Sequence, residues 1–234
     1  PMKLLARDSN IKLIKTAKKE KQPVVLAGLS MMPSIQTCPS STIADCFTDC
    51  LKESGFAQVF STVNEARQRK TDFYLSDREG FLTQLRRELH NLSKYGIKHG
   101  KRPIVRLNVL SDVAWEKHEI PQEFSDITFY DYTKLAKRLG NTPDNYGLMF
   151  SYSAAPKYQK QVRMAFQTDY PITVVFRGGL PTHFMGREVY DGDWSDLDNL
   201  EQRGKIIGLR VKGNEAKKST SPFIVDSNLI AIGG

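Results

Sequence analysis

Two aspartates stand where neighbouring strands of the predicted fold end. Asp112 follows an apolar run at residues 104–110, and Asp131 follows another at 127–130. The carboxyl ends of parallel strands meet at one edge of a sheet, so we expect the two carboxylates to form a pair. In such a pair one carboxylate stays ionised and acts as the nucleophile or stabilises a cation, while the other has a shifted pKa and transfers protons. The alternative is that Asp112 caps the next helix.

A second acidic cluster provides a reserve for the same chemistry. Asp191 and Asp193 flank Gly192, and Asp196 and Asp198 follow. The segment lacks the spacing and the terminal Glu of an EF-hand loop, which excludes that class of calcium site. A divalent-ion site and a simple hydrogen-bonded turn both remain open.

The cysteines suggest a metal site. Cys46 and Cys50 are four positions apart in a predicted helix and share one face, and Cys38 lies in the loop before it. Three thiolates there could hold zinc or, alternatively, an iron–sulfur cluster. The spacing gives no clear fourth ligand, and His183 is the histidine best placed to supply one. The competing interpretation is that the cysteines are small buried apolar residues.

Small, hydroxylic and charged residues collect after the predicted strands. Ligands of parallel α/β folds bind at the carboxyl ends of the strands, so these residues are candidates for substrate binding. Loops are polar in any case, which is the alternative explanation. The candidates are Ser30, Ser111, Lys134, Ser151, Arg177, Gly178 and Gly179.

The chain carries 34 Lys and Arg against 26 Asp and Glu, a net charge of +8. A surplus of this size favours a polyanionic partner through counterion release, and Tyr95 within the basic run could stack on an extruded base. Solubility and a solvated helix face are the alternatives. The candidate nucleic-acid contacts are Arg67, Arg69, Lys70, Lys98, Lys101, Arg102 and Lys212.

Strands and helices alternate along the chain, which predicts a parallel sheet of strand–helix units. We predict strands at 23–29, 104–110, 127–130, 147–150, 172–176 and 206–211, with a short one at 223–225. We predict helices at 43–53, 78–95, 134–139 and 156–167. The fold class is therefore α/β, as an incomplete or TIM-like (βα) barrel. An open doubly wound sheet is less favoured, because no Gly-rich turn follows the first strand; no nucleotide cofactor is evident.

Local signals place the ends of two helices and the domain limits. Thr42 with Asp45 three residues later has capping-box spacing, and Gly55 would close that helix. Gly96 would close the helix at 78–95. No stretch looks like a linker, so we expect a single α/β domain over 1–234, with residues 1–22 as a basic arm or helix.

The composition argues for a protein of the cytoplasm. No apolar run approaches the ~20 residues that span a bilayer, so no membrane partner is expected. Residues 1–21 have no apolar core of a secretory signal. The three clustered cysteines make a poor disulfide framework, which fits a reducing compartment. The oligomeric state is not indicated.

The order of several blocks resembles a phage protein domain known by a gene-product designation. The resemblance covers roughly residues 28–226. It rests on Thr37-Cys38-Pro39 with Cys46 and Cys50, Ala66-Arg67, Leu110-Ser111-Asp112, Phe129-Tyr130-Asp131-Tyr132-Thr133-Lys134, Tyr190-Asp191-Gly192-Asp193, Asp196-Leu197, residues 207–213 and Phe223-Ile224-Val225-Asp226.

Such domains look related to DNA 7-deazaguanine transglycosylases of the DpdA type, which are similar to tRNA-guanine transglycosylases. The resemblance implies a barrel enzyme that replaces guanine in double-stranded phage DNA by a 7-deazaguanine base and so shields the DNA from restriction. One Asp would attack the deoxyribose C1′ and expel guanine, and the second would deprotonate the incoming base. Asp112 and Asp131 are the candidates for this pair, and the host cytoplasm is the expected location.

Two other functions stay open. A cysteine trio after the first strand resembles the cluster site of radical-SAM enzymes, although their usual spacing is absent. A non-catalytic DNA-binding protein of phage replication would explain the basic charge without any chemistry.

Overall fold

Runs of β-branched and apolar residues form the strands of this protein. The computed structural model describes residues 2–7, 16, 18–47, 61–212 and 217–230. Ten strands lie in these ranges: β1 Leu5–Arg7, β2 Val24–Leu29, β3 Arg102–Arg106, β4 Thr128–Thr133, β5 Tyr146–Ser151, β6 Ile172–Arg177, β7 His183–Phe184, β8 Arg187–Asp191, β9 Ile206–Arg210 and β10 Ile224–Asp226. All seven predicted strands are present, with shifted ends.

The strands make a mixed α/β protein with a ten-stranded, mostly parallel sheet. β2, β3 and β4 are parallel neighbours, and so are β5, β6 and β9. The antiparallel pairs are β1 with β2 and β7 with β8. Among the described strands the main path of pairing has two ends, at β1 and β7, so these strands do not close a barrel.

The chain packs as two compact units. The first contains residues 1–38, 61–131 and 142–147, and the second contains 39–60, 132–141 and 148–234. The chain therefore passes from one unit to the other inside β4 and again inside β5. The single domain that the sequence predicts stays a prediction. Of the predicted N-terminal arm, Leu5–Arg7 forms the edge strand β1.

The longest helix, α2, covers the sheet of the first unit. It comprises Arg78–His99, and the helix before it, α1, comprises Ser61–Ser76. Phe81, Leu85 and Leu89 on α2 are fully buried, each contributing about 1.5–3 kcal/mol of hydrophobic stabilisation. This spacing confirms the predicted helix at 78–95.

The predicted end of that helix at Gly96 is wrong. The helix continues to His99 and ends at Gly100, which adopts the left-handed conformation with φ 60°. Gly96 serves packing instead, since a Cβ there would lie 2.6 Å from the carbonyl oxygen of Lys101 and 2.9 Å from Pro103. The missing side chain lets α2 run close to the start of β3.

Helix α1 was not predicted, because its surface is largely polar and its buried positions are few. Thr71 Oγ1 donates to the carbonyl of Met32 over 3.1 Å, and Met32 N–H donates to the carbonyl of Arg67 over 3.3 Å. Met32 lies in the loop after β2. The middle of α1 is therefore held at the carboxyl edge of the first unit, which we define as the carboxyl ends of β2 and β3, the loops that follow them, and Asp131 on the neighbouring strand β4.

The predicted helix at 43–53 does not begin where the capping box placed it. Ile43 and Asp45 lie in consecutive turns, and Asp45 has a left-handed φ of 51° that a first helical turn does not allow. Residues 48–60, including Gly55, lie outside the described residues.

The remaining helices are short. The predicted helix at 134–139 is a single 3₁₀ turn over Ala136–Arg138. The one predicted at 156–167 is a 3₁₀ turn over Pro156–Tyr158 that leads into α4, Gln159–Phe166. The others are α3 Ile120–Glu123, α5 Asp196–Leu200 and α6 Ser227–Ile230. No described helix has the length and apolarity to cross a bilayer.

Candidate functional site

The loops after β2 and β3 are joined at the carboxyl edge of the first unit. The two strands are parallel, and beyond them the N–H of Val109 donates to the carbonyl of Leu29 over 3.2 Å. The N–H of Asp112 donates to the carbonyl of Thr37 over 2.8 Å. Asp112 is 4% exposed. Asp112 is thus fixed between two loops rather than placed on an outer helix end.

Asn108 organises this edge. Its side-chain oxygen accepts hydrogen bonds from Ser111 Oγ at 2.8 Å and from the N–H of Val113 at 2.9 Å. The same oxygen accepts from the indole N–H of Trp115 at 3.1 Å, and the amide nitrogen donates to the carbonyl of Val113 at 3.0 Å. Ser111 and Val113 are the chain neighbours of Asp112. One buried amide therefore holds both sides of that aspartate.

This network explains why β3 is shorter than predicted. The apolar residues Leu107, Val109 and Leu110 suggested a strand as far as 110, but β3 ends at Arg106. Beyond it, the side chain of Asn108 hydrogen-bonds to the backbone of Val113 and folds the chain into a turn. The prediction of strand over 107–110 is wrong for that reason.

Asp131 on β4 is completely buried and is surrounded by donors. Oδ1 accepts from the N–H of Asn108 at 2.7 Å, and Oδ2 accepts from the hydroxyl of Tyr146 at 2.7 Å and from Asn108 Nδ2 at 3.2 Å. Arg106 Nε lies 4.0 Å from Oδ1. Because each of these groups donates, the site suits an ionised carboxylate, which only accepts. Asp131 is therefore held in place through Asn108.

The first unit thus buries three charged side chains at one edge: Arg106 at 9% exposure, Asp112 at 4% and Asp131 at 0%. Charged residues are almost never this buried unless they are paired, and unpaired burial costs several kcal/mol. A framework that fixes a carboxylate in a low-dielectric setting can support nucleophilic or acid–base chemistry. Asn108 bonds to Asp131 and to both chain neighbours of Asp112. The pairing of the two carboxylates and their catalytic roles stay predictions.

In the second unit, a lysine and a serine meet inside the protein. Lys134 Nζ donates to Ser151 Oγ over 2.8 Å, and both residues are 9% exposed. The ammonium also lies 4.7 Å from the centre of the Phe223 ring. Tyr158 reaches the carbonyls of both Lys134 and Ser151 at 2.9 Å. Two predicted substrate contacts are therefore paired with each other.

The Gly-rich turn after β6 is occupied by structural contacts. Arg177 forms an ion pair of 3.2 Å with Asp226 and donates to the carbonyl of Ser219 at 2.8 Å. Gly178 has φ 90°, and a Cβ there would lie 2.7 Å from Asn228 Nδ2. Gly179 also has a positive φ of 123°. The two glycines are explained by a tight turn beneath α6, and a substrate role stays a prediction.

The reserve aspartates are neutralised by cations of β9 and its extension. Arg210 binds Asp191 at 2.8 Å and Asp193 at 3.1 Å, and Lys212 binds Asp193 at 2.8 Å. Burial alone would raise the pKa of Asp193, but hydrogen bonds and charge from Lys212 and Arg210 lower it below its usual value. This cluster is an ion-pair network that closes the 191–193 turn. Lys212, a predicted nucleic-acid contact, is part of it.

The predicted nucleic-acid contacts divide into two groups. Arg67, Arg69 and Lys70 lie on α1, whose middle is tied to the β2 loop at the carboxyl edge. Arg69 is exposed, and Glu65 lies 4.0 Å from its guanidinium. Lys70 donates to the carbonyl of Leu4 at 2.9 Å, and burial lowers its pKa, with Arg67 acting in the same direction and Glu88 against it.

Lys98, Lys101 and Arg102 belong to the opposite end of the sheet. We call this the amino edge: the end of α2 and the residues that lead into β2 and β3. Arg102 N–H donates to the carbonyl of Pro23, and its guanidinium binds Glu20 at 2.6 Å. The five residues of β3 put the two edges about 15 Å apart at roughly 3.3 Å per residue. These cations therefore do not line the Asp112 edge.

The metal site stays a prediction. Cys38 and Cys46 are buried, and Cys46 Sγ donates weakly to the carbonyl of Ser41 at 3.7 Å. Cys50 lies outside the described residues, and His183 is exposed on β7 opposite Glu188. Within the described part of the chain, no group of three His, Cys, Asp or Glu side chains could hold a metal ion.

Sequence reasoning missed Asn108, Tyr146 and Arg106. A polar residue inside an apolar run was the available signal, since both Arg106 and Asn108 interrupt residues 104–110. No sequence pattern indicated Tyr146, because only the folded chain brings its hydroxyl to Asp131. Of the other predicted contacts, Ser30 is half-buried at the end of β2, and Ser111 is buried against Asn108.

A protein family described as Gene product 88 has a family model that matches residues 3–226 of this chain. No curated protein and no solved structure matches the sequence significantly. The matched span contains all the residues of the carboxyl edge described above.

Proposed function

This chain belongs to the gene product 88 family, and we propose from its candidate site that it is a phage enzyme that exchanges guanine in DNA for a 7-deazaguanine base. The observation that carries the proposal is the fixation of Asp112. Its own N–H is bonded to Thr37, and both of its chain neighbours are bonded to Asn108. These bonds fix the backbone that carries the Asp112 carboxylate, which suits it to attack at a defined position.

The proposed reaction is a double displacement. A carboxylate oxygen of Asp112 attacks C1′ of an extruded deoxyguanosine, the C1′–N9 bond breaks, and guanine leaves with the bonding electrons. The incoming 7-deazaguanine then attacks C1′ through its N9 and displaces Asp112. The proton lost by the incoming base balances the one gained by guanine, so the net exchange needs no further reagent.

Asp131 takes a different part in this scheme from Asp112. Its complete burial and its donors from Asn108 and Tyr146 favour a positioning role, in which it fixes the amide that fixes Asp112. Arg67 and Arg69 on α1 supply positive charge near the same edge for the DNA backbone. The proposal includes an incomplete (βα) barrel for the parallel strands, as the resemblance implies.

The test is base exchange on duplex DNA. The full chain is incubated with guanine-containing DNA and a 7-deazaguanine base, and the digested nucleosides are measured by mass spectrometry. We expect incorporation by the wild type and a loss of at least about 10³-fold in Asp112→Asn, since the nucleophile is removed. Asp144→Asn, at an exposed position of the first unit, is the matched control. Incorporation that is unchanged in Asp112→Asn, or absent in the wild type, would overturn the proposal.

A further inference from the structure

The solvent face of α2 carries a row of cations that make no ion pair with any described residue. Arg87, Lys94 and Lys98 are exposed, and Lys101 follows them directly after the helix. None of the four forms a salt bridge or hydrogen bond with a described residue through its side chain. We call these four residues the α2 basic surface.

Helix geometry aligns this row. Positions 87, 94 and 98 are separated by seven and four residues, so their side chains fall within one narrow stripe. The stripe is about 16 Å long at ~1.5 Å of rise per residue. Double-stranded DNA carries one negative charge per ~1.7 Å of its axis, so a row of this length meets several phosphates.

Nearby carboxylates do not neutralise the row. Glu88 is turned toward β1, where its oxygens accept from the N–H groups of Leu4 and Leu5 at 2.9 and 2.8 Å. Glu123 is bound to Arg86 at 2.6 Å. Asp126 accepts a hydrogen bond from Ser93 on the flank of the helix. Lys94 and Lys98 stand four residues apart, a like-charge spacing that destabilises a helix until an anion binds.

We propose that the α2 basic surface is a second DNA-backbone contact, separate from the carboxyl edge. This inference rests on the proposed function for its choice of DNA as the polyanion. Lys98 and Lys101 lie at the amino edge, at the far end of β3 from Asp112. Arg87 and Lys94 lie farther back on α2, on the face opposite the buried Phe81, Leu85 and Leu89. The surface therefore binds the duplex without touching the reacting nucleotide. A membrane surface is less suited to it, because Ile97 is the only large apolar side chain exposed on this part of α2.

The experiment measures binding of a short fluorescent DNA duplex by anisotropy between ~50 and ~200 mM salt. Lys94→Gln/Lys98→Gln is compared with Lys157→Gln/Lys160→Gln, which removes the same charge from exposed lysines of the second unit. Glutamine keeps the helix propensity of lysine, and circular dichroism checks folding. We expect the α2 variant to bind roughly 10- to 100-fold more weakly and its salt slope to fall by about 1.8, while the control changes little.

If DNA binding were weakened equally in both variants, or not weakened in the α2 variant, the proposed DNA contact of the α2 basic surface would be overturned. Loss of binding to phosphatidylserine vesicles with DNA binding intact would overturn it in favour of lipid. Failure of the proposed function looks different: the wild type would bind DNA through α2 without incorporating 7-deazaguanine. Asp112→Asn separates the two further, because it should abolish exchange and leave DNA binding unchanged.

Discussion

The two edges of the first unit handle charge in opposite ways. At the carboxyl edge, Arg106, Asp112 and Asp131 are buried, and Asp131 accepts hydrogen bonds from Asn108 and Tyr146. At the amino edge, Lys98 and Lys101 stand in water with no ion pair to a described residue. Burying a charged group costs much folding free energy, whereas leaving one exposed to water costs almost none. The contrast indicates that the carboxyl edge is organised for a fixed geometry, whereas the amino edge is available to a diffuse polyanion.

The largest effect should come from removing the amide at the centre of the carboxyl edge. Asn108→Ala leaves Trp115 Nε1 and the N–H of Val113 without their acceptor, so we expect a loss of roughly 3 kcal/mol in unfolding free energy. Urea denaturation measures it. Asn141→Ala, whose amide bonds an exposed carbonyl, should stay within about 0.5 kcal/mol. Similar losses in both would remove the contrast between buried and exposed sites.

A smaller loss should follow from deleting one hydroxyl. Tyr146→Phe removes a 2.7 Å hydrogen bond to the buried Asp131 carboxylate, which should cost about 1.5–2 kcal/mol. Tyr95→Phe is the control, because the Tyr95 hydroxyl has no hydrogen-bond partner among the described residues. If Tyr146→Phe were as stable as the wild type, Asp131 would not depend on its donors, and its positioning role would fail.

The stability of the first unit should depend on pH through His118. Burial lowers the pKa of His118 below its usual 6.5, and the charges of Arg78 and Arg86 lower it further. The folded state therefore prefers neutral His118, so this contribution to stability is complete above pH 6.5 and is lost as the pH falls through the folded pKa. Denaturation at several pH values should show this in the wild type. His118→Gln should flatten that part of the profile, and His90→Gln at an exposed position should not.

The smallest effect is expected at the amino edge. Lys98→Gln should change the unfolding free energy by less than about 0.5 kcal/mol, because the side chain is exposed and makes no ion pair within the described ranges. Thermal or urea denaturation measures this. A loss comparable to that of Tyr146→Phe would show that Lys98 supports the fold, and the comparison of the two edges would then need revision.

The sequence predicts the strands well and the site only in part. Strands β6 and β9 were predictable from residues 172–176 and 206–211, because a run of β-branched residues favours a strand whatever its tertiary contacts. Residues 107–110 are also largely apolar but form a turn after β3, because the Asn108 side chain accepts a hydrogen bond from the backbone of Val113. Such competition between side chain and backbone is invisible in a hydrophobicity pattern.

The positions of the charged residues were also only partly predictable. Asp112 and Asp131 could be placed at one edge because strand order follows from the alternation of strands and helices. The opposite location of Lys98 and Lys101 follows from the same alternation, since a helix that precedes a strand ends at the strand's beginning. Helix α1 offered no such signal, because its packing on Met32 relies on Thr71 and backbone groups rather than on an apolar stripe.

The passage of the chain between units inside β4 has a practical and an evolutionary consequence. A fragment cut after residue 131 would retain Asp131 and discard Tyr146, whose hydroxyl donates to it from 15 positions farther along the chain. Neither unit is a continuous stretch of the gene. Recombination between positions 131 and 146 would bring the carboxylate and its donor from different parents.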